Sequence, residues 1–285
     1  MASTNIKRVL QKNQIMDRTV VDGPARRWHD SFLKFYEMLQ RDPNFRENFE
    51  SQLVVSNFDA TDGTIYTGAA GEILSFSTGL TNWEACVVSV ATGAAVIAPF
   101  VSADGLEVKS MAGGTGPDHW ELVPGGNFAG SKHAFTVSSA GQTGYYFRAK
   151  IKIDDISDVT RALFGFRKVQ AYQTDWNDYT DMAALDIGLT DDGRFSITTI
   201  LNNAATATTD TTLTDWADAA EYTLEVFISK TGVVTWRVDG SLPTVVPAQF
   251  TFDSGDEVVP FILLDCETGD PGLSISEMSC GYANV

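Results

Sequence analysis

In the stretch "YTLEVFISKTGVVTWRVDG" (222–240), Tyr222, Leu224, Val226 and Ile228 alternate with Thr223, Glu225, Phe227 and Ser229. The pattern resumes after Lys230-Thr231-Gly232 as Val234, Trp236 and Val238, and stops at Asp239-Gly240. Apolar residues at every second position mark a strand with one buried face, and Gly and Asp-Gly are turn chemistry, so the stretch predicts a β-hairpin. "YYFRAKIKI" (145–153) alternates in the same way. Tyr145, Phe147, Ala149, Ile151 and Ile153 face a core, while Tyr146, Arg148, Lys150 and Lys152 face water or acids of a neighbouring strand.

Similar segments recur from about residue 53 onward. They lie at 72–77, 83–90, 106–111, 145–153, 162–167, 183–189, 195–201, 222–229, 233–239, 258–264 and 273–281. Between them stand turn-forming clusters such as "DATDG", "GGTGPDH", "PGGNFAGS" and "TDDG". No helical period of any length interrupts the series. Many short strands with frequent turns predict a mainly β fold, an antiparallel two-sheet jelly-roll sandwich. The Gly-rich stretch 104–144 suggests a boundary, giving an irregular β region or platform at 53–130 and the main sandwich at 131–285.

Residues 1–52 follow a different period. Trp28, Phe32, Phe35 and Leu39 recur at four, three and four residues, and Phe45 and Phe49 at four, which predicts short amphipathic helices. Gly23-Pro24 supplies a start signal and Asp42-Pro43 a restart. Burying one such aromatic side chain is worth roughly 1.5–3 kcal/mol, so these stripes must dock, either on their own β domain or on another subunit. The expectation is a helical arm for assembly.

Charge sharpens the contrast. Residues 1–50 carry 9 Lys/Arg and 7 Asp/Glu, leaving 11 and 30 for residues 51–285, a net of −19 for the body. A body so acidic repels a phosphate backbone, which argues against nucleic acid as a partner. The hydrophobic content of 44% is ample for a packed core. No apolar run approaches the roughly 20 residues of a membrane span, and the N-terminal stretch has no apolar segment of the signal-peptide kind, so synthesis in a cytoplasm without membrane insertion is expected. Cys86, Cys266 and Cys280 are scattered, with no C-x-x-C spacing. Buried free thiols are the expectation, a Cys266–Cys280 bond requiring neighbouring strands.

Catalytic patterns are sparse. A sugar-cleaving sandwich needs two carboxylates about 5–10 Å apart across a cleft. No Glu-x-Asp-x-Glu or Glu-x-Asp-x-x-Glu occurs, and Asp265 with Glu267 comes closest, where a strand enters a turn. His29, His119 and His133 stand beside no nucleophile elbow or metal-binding His pair. The chain is not expected to be an enzyme. "QTDWNDYTDM" (173–182) sets Asp175, Asn177, Asp178 and Asp181 within seven positions, oxygen ligands of the type calcium takes, though in the spacing of no EF-hand. Trp176, in the same loop, is expected to be exposed, where an indole stacks on a sugar or anchors a protein contact.

From about Tyr145 onward, the order "YYFRAKIKIDDI", "LFGFRKVQAYQTDWNDYTDMAALDIG", "TILNNAATATTDTTLTDWAD", "YTLEVFISKTGVVTWRVDG" and "FTFDSGDEVVPFILL" resembles the concanavalin A/laminin G-like jelly rolls of structural proteins in tailed bacteriophages, marine ones especially. Catalytic carboxylates of the glucanase branch are not matched. The resemblance implies a virion component, either capsid decoration or a tail or fibre part. Its arm would dock on a major capsid or tail protein, and its homo-oligomeric acidic jelly roll would face outward. A carbohydrate-binding module recognising host-surface glycans, with or without calcium, is the alternative.

Overall fold

A computed structural model of the chain describes residues 134–140, 144–188 except 172 and 174, 193–266 and 272–283. It also describes the strand backbones at 56–57, 73–78, 81–89, 96–102, 105–111 and 118–124, with side chains at 121–123. All of these lie in one compact unit, Glu50–Val285. The expected helical arm, with Trp28, Phe32, Phe35, Leu39, Phe45 and Phe49, lies outside the described residues.

The first seven described strands are β1 (Ser56–Asn57), β2 (Ile73–Thr78), β3 (Thr81–Ser89), β4 (Val96–Ser102), β5 (Gly105–Met111), β6 (Asp118–Pro124) and β7 (Phe135–Thr136). Next come β8 (Gly144–Ile153), β9 (Arg161–Lys168), β10 (Met182–Gly188), β11 (Arg194–Ile200) and β12 (Ala207–Asp210). The hairpin of β13 (Glu221–Ile228) and β14 (Val234–Val238) precedes β15 (Glu257–Cys266) and β16 (Leu273–Ala283). Among the described residues they pair into a smaller sheet, ordered β14-β13-β8-β16-β5-β4, and a larger one, ordered β12-β11-β10-β9-β15-β6-β3-β2. Short β1 joins β16 and short β7 joins β15. Every pairing is antiparallel, and the two sheets face each other as a jelly-roll sandwich.

The period-two pattern explains the packing. From β8, Phe147, Ala149 and Ile151 point into the core, where they meet Phe164 and Phe166 of β9 and Leu185 of β10. Phe147 and Phe164 stack across the two sheets with ring centroids 4.3 Å apart. The other face of β8 carries its cations beside acids: Arg148 lies 3.5 Å from Glu225, and Lys150 2.5 Å from Glu221. The hairpin bends at Lys230-Thr231-Gly232, where Gly232 has positive φ, and beyond β14 the chain turns at Asp239-Gly240, both with positive φ, between the bridged Val238 and Ser241.

All eleven segments read from alternation form strands. Those that alternation misses sit largely at sheet edges. β4 carries Pro99 and ends the smaller sheet, a place that tolerates a residue without an N–H. β12 is short and polar and ends the larger sheet. The residue 130/131 boundary separates no layers, because β5 pairs with β16 and β6 with β15. Cys280 is a buried free thiol on the smaller sheet, its pKa pushed up to about 12 by burial, while Cys266 belongs to the larger sheet.

Candidate functional site

The outer face of the larger sheet holds more chemistry than any other described surface. Along β9, Ala162, Phe164 and Phe166 point inward, which turns Arg161, Leu163 and Arg167 outward. The same alternation puts Asp186 of β10 and Thr198 of β11 on the outer side, between the inward Leu185, Ile187 and Ile197. The β9–β10 connection folds over this face. Its two ends are tied where Gln170 Oε1 accepts from the Thr180 N–H (3.0 Å) and hydroxyl (2.8 Å). In the middle, Asp175 caps a single 3-10 turn, Trp176–Asp178. Tyr179 then drops into an apolar cluster with Leu163, Phe261 and Leu263.

One polar group beneath this connection is closed. Arg167 Nε donates to Glu121 Oε1 at 2.6 Å, and the Tyr179 hydroxyl donates to Glu121 Oε2. The Arg167 guanidinium lies 4.5 Å over the Tyr179 ring, and its Nη1 donates to the carbonyls of Lys168 and Gln170. Both Glu121 and Arg167 are fully buried. Burial, reinforced by the Glu121 carboxylate, pushes the Tyr179 phenol far above its ordinary range. This is a charge-paired, water-excluded lock, placed to hold the loop down.

The second group opens toward solvent. The Arg161 guanidinium stacks 4.0 Å over the Trp176 ring, and its Nε lies 3.4 Å from Asp186 Oδ1. Asp186 Oδ2 accepts from the Thr198 hydroxyl, which also contacts Thr208 Oγ1 at 3.1 Å. A polar row therefore crosses β9, β10, β11 and β12. Asp186 is only 2% exposed, and burial raises its carboxyl above the usual value against the opposing pull of Arg161 and Thr198. Arg161 Nη1 and Asp186 Oδ1 are both buried and make no hydrogen bond among the described residues, Asp186 Oδ1 being held by the ion pair with Arg161 Nε. Paired donors and acceptors beside an aromatic edge form a set suited to a polyhydroxylated ligand.

Trp176 does not stand free as the loop composition suggests. It is half-buried, packed against the apolar cluster and covered on its ring by Arg161. The four oxygen-bearing loop residues divide. Asp175, Asn177 and Asp178 share the 3-10 turn, with Asp175 Oδ1 accepting from the Asn177 N–H. Asp181 is engaged elsewhere, accepting from the Asn202 N–H at 2.7 Å and facing Lys168 at 3.7 Å. Among the described residues no group of three or more acidic, His or Cys side chains converges as a metal site. Asp265 is the strand partner of Arg161, while Glu267, His29 and His133 lie outside the described residues.

Sequence inspection passes over Arg161, Asp186, Thr198 and the Glu121–Arg167 pair. A signal is present: in "RALFGFRK" and "MAALDIG" a charged residue interrupts strands that are otherwise apolar on both faces. The partner of each lies 25–46 residues away, which alternation alone does not supply.

No family model matches the chain, and no curated protein matches it. Solved structures do. The potassium-bound carbohydrate recognition domain of Emp46p is matched over 84% of this chain and 99% of its own, at 9% identity and a TM-score of 0.46. The carbohydrate-binding module CBM66 from Bacillus subtilis is matched over 75% and 98%, at 14% identity and a TM-score of 0.39. A sialidase is matched over 76% of this chain, at 10% identity and a TM-score of 0.41, and the chain spans 19% of that protein's length.

Proposed function

We propose that this chain is a non-enzymatic carbohydrate-binding module whose site lies on the outer face of the larger sheet, around Arg161, Trp176, Asp186 and Thr198. One observation carries the proposal: a half-buried tryptophan, the guanidinium of Arg161 stacked on its ring, and a polar row running from Asp186 through Thr198 to the exposed Thr208 lie side by side on one sheet face. Hydroxyl and guanidinium groups beside an aromatic ring suit a polyhydroxylated ligand, and the indole adds apolar contact for a sugar ring.

Incorporation into a phage particle is compatible with glycan recognition. That role rests on the sequence resemblance and on residues 1–52, outside the described residues. Truncating those residues and scoring particle assembly tests it separately.

A glycan array probed with the full chain, with and without a calcium chelator, tests the binding function. The expected result is a defined set of bound glycans, lost in Trp176→Ala. Silence across the array, or binding indifferent to Trp176→Ala, overturns it.

A further inference from the structure

We infer that the β12 edge of the larger sheet, together with the apolar loop 241–249 beside it, is the surface on which a second copy of this chain docks. The sheet ends differ in what closes them. β14 is capped by the chain that follows it, through the bridges Val233–Thr251 and Val238–Ser241 and through the Val234 N–H, which donates to the Phe250 carbonyl at 3.2 Å. β4 carries Pro99, which interrupts any further ladder. The side chains of β2 lie outside the described residues. β12 has no such closure: Ala207, Thr208 and Asp210 are exposed, and its sequence, ATTD, contains neither Lys nor Pro. The Thr211 N–H donates to the Phe195 carbonyl of the β11 side at 3.1 Å, so alternation turns the backbone N–H and C=O groups of Thr208 and Asp210 away from β11, toward solvent.

An apolar patch adjoins this edge. Leu242, Val245 and Val246 are 62%, 39% and 50% exposed. The Val245 N–H donates to the Thr211 carbonyl at 3.4 Å, which sets the loop at the end of β12. Charge selects the occupant. Residues 51–285 carry a net of −19, yet 201–209 and 240–252 contain no charged residue, and Asp210 is paired with Arg194 at 3.0 Å. A neutral edge is where two such acidic bodies meet with least repulsion, and a cationic partner would find its complement elsewhere on the surface. A two-fold axis at Thr208 lays β12 antiparallel against itself, so each copy supplies the donors and acceptors that the other lacks. In that register the loop of one copy faces residues 203–206 of the second, where Ala204 and Ala205 are exposed.

Sedimentation velocity of the full chain, from about 1 to 200 µM, should show a monomer–dimer equilibrium with Kd on the order of 10 µM, as befits a short ladder. Raised salt should tighten it several-fold by screening the repulsion between the bodies. Thr208→Pro removes an outward N–H that the sheet itself does not use, and Val246→Glu brings a charge into the neutral contact. Each should weaken the dimer about tenfold or more. Circular dichroism checks that both variants fold, and either one decides the matter if the other does not. A chain that stays monomeric throughout would overturn the inference and leave the edge to a different partner. A dimer indifferent to the variants, or one that salt weakens, would overturn it as well.

Discussion

Arg167 and Glu121 form an ion pair at 2.6 Å with neither side chain exposed. They come from β9 and β6, and β15 lies between those strands, so the bond spans a neighbour and draws three strands and the Tyr179 loop together. Removing one partner strands the other charge in a dry interior. Glu121→Ala should cost about 3–5 kcal/mol, and a joint Glu121→Met, Arg167→Met replacement should recover most of it. Urea unfolding of the single and double variants checks the claim. A single variant as stable as the parent would refute the lock.

Two hairpin glycines separate backbone conformation from crowding. Gly232 has φ +87°, and a Cβ there would lie 2.2 Å from the Phe252 carbonyl oxygen. Gly240 has φ +74° with nothing within 4 Å of the same position. Gly240→Ala should therefore cost roughly 1–2 kcal/mol, the left-handed penalty alone. Gly232→Ala should cost more, because the backbone around Phe252 must also move. Thermal denaturation of the pair measures the difference directly.

Asp186 makes stability depend on pH in a known direction. Burial raises its folded pKa above the ordinary 3.8, so the native state holds this proton more tightly than the unfolded chain does. Its contribution is complete below the unfolded pKa and is lost as pH rises through the folded value. Asp186→Asn cannot titrate there. Its thermal midpoint should gain on the parent's as pH rises from about 4 toward neutrality. A gap that stays constant over that range would contradict the assignment.

The acidic loop yields a calcium prediction. Asp175 caps its turn and Asp181 is held by Asn202 and Lys168, so gathering them around an ion means breaking those contacts. Excess calcium should leave the thermal midpoint where a chelator leaves it. Occupancy at about 100 times Kd would instead add about 2.7 kcal/mol, several degrees in a scan.

Alternation made the sandwich legible because a half-buried strand writes its faces into the chain. Leu224, Val226 and Ile228 could be assigned inward from sequence, and all three are buried. β12 was silent for the converse reason: Ala207, Thr208 and Asp210 are exposed, so no burial constrains them. The site was less legible. Trp176 drew attention by its composition, but Arg161 and Asp186 became partners only when β9 and β10 were paired. Composition records the oxygen atoms of the loop acids without recording which N–H groups hold them, such as that of Asn202 on Asp181. In the charged row, Arg148 and Lys150 meet Glu225 and Glu221 of the neighbouring strand, as alternation implies, while Lys152 pairs with Asp154 just beyond the end of its own strand.

The Arg167–Glu121 bond also bears on how the gene product can be divided. A fragment beginning at Ser131 would carry the guanidinium without its counterion, would leave β16 bare along one side and would leave β15 covered there by short β7 alone. The Gly-rich connection is thus no safe point for domain dissection. The strands on its two sides are co-dependent, and either piece made alone would be prone to mispairing through its unprotected edge.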